Sequence, residues 1–381
     1  MQGVEEFRAE VRDWLAENLV GDFAALKGLG GPGREHEAFE ERLAWNQHLA
    51  HAGLTCLGWP VEHGGRGLSV AHRVAFYEEY AIANAPAKVN HFGEELLGPT
   101  LIAFGTPEQQ QRFLPRILDV TELWSQGYSE PGAGSDLANV STTAELDGDQ
   151  WVINGQKVWT SLAHWAQWCF VVVRSEKGSK RHAGLSYLLV PLDQPGVEVR
   201  PIVQLTGDSE FNEVFFDDAR TDAGLVVGQP GDGWRVAMGT LTFERGVSTL
   251  GQQIVYAREL SAVVELAKST GAADDPLIRE RLTRSWAGLR AMRSYALATM
   301  DVEQPGQDNV SKLLWANWHR DLGEIAMDVQ GKAGLVLTGG DFDEWQRLYL
   351  FTRADTIYGG SNEIQRNIIA ERVLGLPREA R

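Results

Sequence analysis

The period of the hydrophobic pattern changes twice along this chain, and those two changes limit the fold more than any single motif. From Val4 to about Leu118 the spacing is helical: Phe7, Val11, Trp14 and Leu15 recur every three or four residues, and the Arg112–Leu118 stretch does the same. Thr106-Pro107-Glu108-Gln109 predicts a helix start, with the hydroxyl as cap and proline at the first helical position. A turn-rich loop, Gly58-Trp59-Pro60 through Gly64-Gly65-Arg66-Gly67, interrupts this region. Between about Val120 and Asp218 the pattern is that of strands. Phe170–Val173, Leu185–Val190 and Val214–Phe216 are short runs of β-branched and aromatic residues, and Trp151–Gly155 ends in an Asn-Gly hairpin-turn signal. From Gly233 the helical period returns, with breaks at Gly271–Pro276, Gln304–Gln307 and Gly339-Gly340. Helical, then β, then helical blocks predict an α+β chain with an inserted antiparallel β domain, not alternating βαβ units. The expected domains are residues 1–120 (helical), 121–230 (β) and 231–381 (helical).

At 381 residues with 43% hydrophobic content, the chain is long enough for two or three domains with large cores. Its formal charge of −17 argues against a nucleic-acid partner, which needs a Lys/Arg footprint, and against docking on anionic lipid. Met1–Glu10 is polar with no apolar segment of the secretory kind, and no apolar run approaches the length of a membrane span. Cys56 and Cys169 are isolated, so neither a disulfide framework nor a metal-ligand spacing is present. A cytoplasmic location with both thiols in the core is the expectation. The 13 tryptophans suit a chain that packs or binds flat rings.

Three segments stand out chemically. The first runs from Gln126-Gly127-Tyr128-Ser129 through Gly132-Ala133-Gly134-Ser135-Asp136. Its two glycines imitate a dinucleotide fingerprint, but the strand, third glycine and helix of a βαβ unit are missing. Small residues flanked by Ser129 and Ser135 nonetheless let backbone approach a ring or phosphate closely. The second is Asn154-Gly155-Gln156-Lys157-Val158-Trp159-Thr160-Ser161, about thirty residues later in the same β domain. The third is Tyr358-Gly359-Gly360-Ser361-Asn362-Glu363, where Ser-Asn-Glu after paired glycines opens a helix whose free N–H groups suit an anion. Each segment alone reads equally well as a turn, a core tryptophan or an ordinary capped helix.

Taken together and in this order, the three segments resemble the acyl-CoA dehydrogenase family over nearly the whole chain. The early Gly-Trp-Pro loop and Gly228…Gly231-Asp232-Gly233-Trp234 add to the resemblance. It implies an N-terminal helical domain, a middle β domain and a C-terminal four-helix bundle, with FAD as cofactor and a homodimer or homotetramer as assembly. It places Gly127, Tyr128, Ser129, Gly134 and Ser135 along the flavin or the thioester arm, and Trp159, Thr160 and Ser161 on the isoalloxazine. Ser361, Glu363 and Gly334 fall on FAD-contacting positions, and Ser135, Thr242 and Arg245 on the substrate side. The implied partners are an acyl-CoA substrate and an electron-transferring flavoprotein.

The pattern breaks at the base. Many family members carry the catalytic Glu directly after the Tyr of the third segment, where this chain has Gly359. A minority, including actinobacterial-type members, place it on a helix of the last domain before an Arg. That position here is Glu244, in Leu241-Thr242-Phe243-Glu244-Arg245. The resemblance then implies that Glu244 removes the α-proton, that the β-hydride goes to flavin N5, and that the Gly359 N–H holds the enolate oxygen. A helix-surface Glu paired with a neighbour is the plainer reading of Glu244 taken alone. Two further segments depart from the family. Its Arg-x-x-Phe-Gly stretch is replaced by Ser269–Pro276, and Asp328 stands where the later segment Gln330-Gly331-Lys332-Ala333-Gly334 is usually preceded by Gln. Such departures also occur in relatives that act on sterol side chains or pair active with inactive subunits. A non-catalytic partner subunit of a hetero-oligomer, and a flavin monooxygenase or nitroalkane oxidase on the same fold, therefore stay open. The polar stretch Asn90–Glu95 falls where the acyl tail ends in the family, which points away from a plain long alkyl chain.

Overall fold

The computed structural model describes residues 2–243, 248–299 and 306–377. Helices α1 (Val4–Asn18), α2 (Phe39–His51), α3 (Val70–Ile82), α4 (Gly98–Phe104) and α5 (Pro107–Leu118) come first. Seven strands follow: β1 (Trp124–Gly127), β2 (Thr143–Asp147), β3 (Gln150–Ser161), β4 (Trp168–Arg174), β5 (Leu185–Pro191), β6 (Val197–Ile202) and β7 (Phe211–Asp222). The chain then returns to helices α6 (Gly233–Phe243), α7 (Ser248–Thr270), α8 (Pro276–Thr299), α9 (Gln307–Gln330), α10 (Glu344–Asp355) and α11 (Asn362–Ile368). Helical N- and C-terminal parts therefore flank a middle β domain, as the change of period predicts. The start of α5 also matches: Thr106 accepts from the Gln109 N–H, Gln109 answers to the Thr106 N–H, and Pro107 leads the helix.

Packing divides the chain into two compact units. One comprises residues 1–18, 70–84 and 246–381; the other comprises 19–69 and 85–245. In the first unit α1 buries Phe7, Val11 and Leu15, the stripe visible in the sequence. Arg8 bridges Glu78 at 2.7 Å and Glu79 at 3.1 Å on α3, and Arg12 reaches Glu79 at 3.0 Å. Tyr256, Leu260 and Val263 on α7 share a core with Leu282 and Leu289 on α8 and with Leu322, Ile325 and Val329 on α9. Gly251 is small because a Cβ there would meet Tyr77 Cβ of α3 at 2.9 Å.

The second unit is built on one seven-stranded sheet in the order β1-β4-β2-β3-β7-β6, with β5 also paired to β4. It is antiparallel apart from the edges β4 shares with β1 and β2, which run parallel. Cys169, Val171 and Val173 face one side of β4, and Phe170 and Val172 face the other. Both cysteines are buried and free. No described helix is long and apolar enough to cross a membrane.

The hairpin expected at Asn154-Gly155 lies elsewhere. The turn between β2 and β3 is closed by the Asp147–Gln150 pair around Gly148, and β3 continues through Asn154-Gly155 to Ser161. Asn154-Gly155 is instead a register shift against β7. The Asn154 side chain accepts from the Asp218 N–H at 2.8 Å and donates to the Asp218 carboxylate at 2.9 Å. Gly155 adopts φ +148°, where a Cβ would meet Thr142 Cα at 2.7 Å. The dipeptide's tolerance of unusual φ, which also makes hairpin turns, is used here for a bulge. Gly155→Ala is therefore expected to cost about 1–3 kcal/mol, read as a lower denaturation midpoint at unchanged slope.

Candidate active site

In the β unit the first segment is a loop leaving β1. Gly127, its last strand residue, sits where a Cβ would approach Cys169 Sγ to 2.9 Å, so β1 can lie against β4 only with glycine there. Glu130 and Ala133 exchange backbone hydrogen bonds of 3.0 Å, closing a tight turn. The turn is anchored by an ion pair that the sequence reading did not single out. Lys157, wholly buried, donates to the Glu130 carboxylate at 2.7 Å, to the Val172 carbonyl at 2.7 Å and to the Tyr128 carbonyl at 3.1 Å. Glu130 also accepts from the Ser141 N–H at 2.6 Å, the Ser141 hydroxyl at 2.7 Å and the Thr142 N–H at 2.9 Å. Burial alone would push this carboxyl up, but the Lys157 ammonium and these donors outweigh it and hold it down at about 2. The Val158 N–H donates to the Ser129 carbonyl at 2.9 Å, so the loop and β3 are joined at two successive residues.

Beyond that anchor, Gly134 and Ser135 are exposed, and a Cβ on Gly134 would meet nothing within 4 Å. Trp159 is 57% exposed, an unusual state for so large an apolar ring, and takes φ +58° in a second register shift of β3. Next to it Thr160 is fully buried, its backbone carbonyl accepts from Asn212 at 2.9 Å, and its hydroxyl has no partner among the described residues. Ser161 ends the strand opposite Phe211. Tyr128 is buried edge-on to Phe170 and Tyr187. An open indole, an unanswered buried hydroxyl and an open glycine are what a planar ring with polar edges requires, so these residues fit a flavin. Thr242, near the end of α6, is exposed and donates to the Gly239 carbonyl at 2.6 Å. Glu244 and Arg245 lie outside the described residues.

In the helical unit, Gly359 (φ +62°) and Gly360 (φ +85°) form the turn between α10 and α11. Left-handed backbone at two consecutive residues selects glycine. The carbonyls of both accept from the Gln365 amide, at 3.0 and 3.1 Å. Ser361 caps α11 by accepting from the Ile364 N–H at 3.4 Å. Glu363 is exposed beside Arg366 at 3.5 Å, its carboxyl held low by its own N–H and the Ser361 hydroxyl. Gly334 is buried, and its carbonyl accepts from Gln346 at 2.9 Å. Asp328 pairs with Arg281.

On the α10 side of the turn the Tyr358 hydroxyl donates to Asp355 Oδ1 at 2.6 Å, and Asp355 Oδ2 lies 2.8 Å from His319 Nδ1. His319 Nε2 is 3.0 Å from Glu259. Burial opposes charge on this imidazole, but the two carboxylates prevail and raise it to about 9. Lys312 donates to the Asp355 carbonyl and lies 4.3 Å from the Trp315 ring and 5.1 Å from that of Tyr358. The signal for this network was present in the sequence. Asn309, Lys312, Ala316, His319 and Gly323 recur at three- and four-residue spacing on one buried face of α9. The His319 pair stabilises the fold fully below pH 6.5 and loses that contribution as pH rises from 6.5 towards 9. The wild type is therefore expected to lose about 3 kcal/mol more than His319→Gln across that interval, measured as urea midpoints at each pH.

Family models for the acyl-CoA dehydrogenase N-terminal, middle and C-terminal domains match residues 2–121, 125–219 and 231–374. The chain belongs to the acyl-CoA dehydrogenase family and is an enzyme of it, in a family of flavoprotein oxidoreductases. It is 88% identical over 388 residues to acyl-CoA dehydrogenase IpdE1 of Mycolicibacterium smegmatis, covering 99% of each chain. It is 85% identical to acyl-CoA dehydrogenase IpdE1 of Mycobacterium tuberculosis, covering 100% of each. Among solved structures, the Tcur3481-Tcur3483 steroid ACAD is similar at a TM-score of 0.84 and 29% identity, over 99% of this chain and 98% of that one. The ChsE4-ChsE5 complex from Mycobacterium tuberculosis gives 0.81 and 29%, over 99% and 98%.

Proposed function

We propose that the enzyme carries out FAD-dependent α,β-dehydrogenation of a steroid-derived acyl-CoA thioester to the 2-enoyl-CoA, with Glu244 as the base. The observation that carries this reading is Gly359, at φ +62° in a turn tied down on both sides. It offers a backbone N–H where the family usually also presents a carboxylate, so the base has to come from elsewhere. Glu244, directly ahead of Arg245 in the sequence, is the position that matches. A thioester α-proton is a very weak acid, and donors aimed at the carbonyl oxygen are what make its removal feasible. The Gly359 N–H supplies one such donor while Glu244 accepts the proton. By the family resemblance, Gly127, Tyr128, Ser129, Gly134, Ser135, Trp159, Thr160, Ser161, Gly334, Ser361 and Glu363 are the flavin-contacting positions. When bound, FAD supplies at N5 the acceptor for the β-hydride, and the electrons then pass to an electron-transferring flavoprotein. The steroid class rests on the neighbour named a steroid ACAD; the polarity of Asn90 and Glu94 is used inside the fold, where Asn90 donates to the Ile117 carbonyl at 2.9 Å and Glu94 pairs with Lys88 at 2.8 Å.

The test is a panel of acyl-CoA thioesters, steroid-derived ones included, assayed with a dye acceptor on the wild type and Glu244→Gln. Dehydrogenation by the wild type and its loss in the variant support the reading; full activity in the variant overturns Glu244 as base. A colourless protein without flavin bands would instead indicate a non-catalytic partner subunit. For that role the Asp328–Arg281 pair is the favouring observation, because it occupies the residue at an expected cofactor-contacting segment. Rapid oxygen consumption without an added acceptor would indicate an oxidase.

A further inference from the structure

The Glu259–His319–Asp355–Tyr358 chain reaches from α7 through α9 and the end of α10 to the residue just before Gly359. Burying ionised groups in this way is costly, and an apolar replacement of similar volume commonly leaves a fold as stable or more so. Helix packing alone therefore gives a weak reason for placing an imidazole and two carboxylates there. What the network does uniquely is fix the turn. Tyr358 is pinned by its hydroxyl on one side of the glycine pair, and Gln365 holds both glycine carbonyls on the other. Gln365 is itself held by Asn309 of α9, at 2.5 Å. Two supports rising from the same buried face of α9, at Asn309 and His319, thus converge on two residues whose φ no side chain constrains.

We propose that His319, acting through Asp355 and the Tyr358 hydroxyl, is a positioning residue that aims the Gly359 N–H at the thioester oxygen. The inference rests on the assignment of that N–H to the developing enolate. Glycine is favoured at 359 by its φ of +62°, and its freedom lets the peptide rotate unless its neighbours are held. A donor to a developing oxyanion must be held to within a fraction of an ångström to be effective. The relay does this without contacting substrate. His319 faces Glu259 and the Tyr256 ring of α7 as well as Asp355, so its charge is balanced locally and not by the ligand.

The decisive variants are Tyr358→Phe, which removes one oxygen, and His319→Gln, which keeps a donor but removes the charge. The probe is acetoacetyl-CoA, an acidic analogue that can be deprotonated but not dehydrogenated. Its bound enolate fraction is read by absorbance on the holoenzyme over a pH series, beside kcat and KM for a true substrate. The expected result in both variants is a fall of roughly tenfold to a hundredfold in kcat, with KM within about twofold. The apparent pKa of the bound probe should rise in parallel, with flavin content and far-UV circular dichroism unchanged. Wild-type enolisation in Tyr358→Phe overturns the proposal, as does a loss expressed only in KM or only in melting temperature. If the wild type itself does not enolise the probe, the assignment of the Gly359 N–H fails first and the inference with it. If the wild type enolises and both variants match it, the inference alone fails.

Discussion

Lys157→Met is expected to lower the stability of the β unit by about 3–5 kcal/mol, the usual result of leaving one member of a buried ion pair without the other. The Glu130 carboxylate would keep the Ser141 and Thr142 donors but lose the Lys157 counter-charge, and the Tyr128 and Val172 carbonyls would lose a donor. Pairing the substitution with Glu130→Gln should recover much of the loss, because no buried charge then remains. The deficit should also shrink with acid. Glu130, held at about 2 in the wild type, stabilises the fold above its ordinary value of 4.5 and loses that contribution as pH falls towards 2. Without Lys157 it would protonate early, so the two proteins should converge below pH 4.5. A constant difference down to pH 3 would show that Lys157 acts by packing and not by charge. Since the same lysine ties the Ser129–Ser135 loop to β3, flavin content should fall along with stability.

Glu244→Gln is expected to slow turnover by about 100- to 10,000-fold, the range associated with removing a positioned general base. The amide keeps the size and one hydrogen-bonding oxygen of the side chain, so thioester affinity should change by no more than a few-fold. Proton removal is the step lost, which a second measurement isolates. Exchange of the substrate α-proton in deuterated water, followed without an electron acceptor, should disappear with turnover. A variant that stopped turning over but still exchanged would place the defect after deprotonation and would remove Glu244 from the role.

Architecture was legible in the sequence where one period governs a long stretch: the stripe Phe7, Val11, Leu15 became the buried face of α1, and the Thr106 cap stands as expected. Features decided by pairing across the chain were not. Asn154-Gly155 carries a turn signal, but whether it turns or bulges depends on Asp218, a residue 64 positions away. Lys157 lies in the same segment as Trp159 and Thr160, whose ring and hydroxyl carry the cofactor signal, whereas a lone lysine carries none. Its partner Glu130, 27 residues earlier, meets it only through the register of β3. His319 is harder still: the spacing on α9 marks its face as buried, but its two partners, Glu259 and Asp355, come from two other helices. The Gly359 and Ser361 positions could be found, since left-handed glycine and a capping hydroxyl leave their mark within a few residues.

The joining of α1 and α3 to the last third of the chain bears on how the protein is made. As synthesis proceeds from the N-terminus, α1 and α3 leave the ribosome with their apolar faces ready, but the helix α7 that α3 packs against is still untranslated. The entire β unit emerges in between and can complete its own sheet first. Until residues beyond 246 appear, α1 and α3 can pack on each other but α3 lacks its α7 neighbour. During synthesis the β unit can thus be complete while the helical unit still waits for its C-terminal segment.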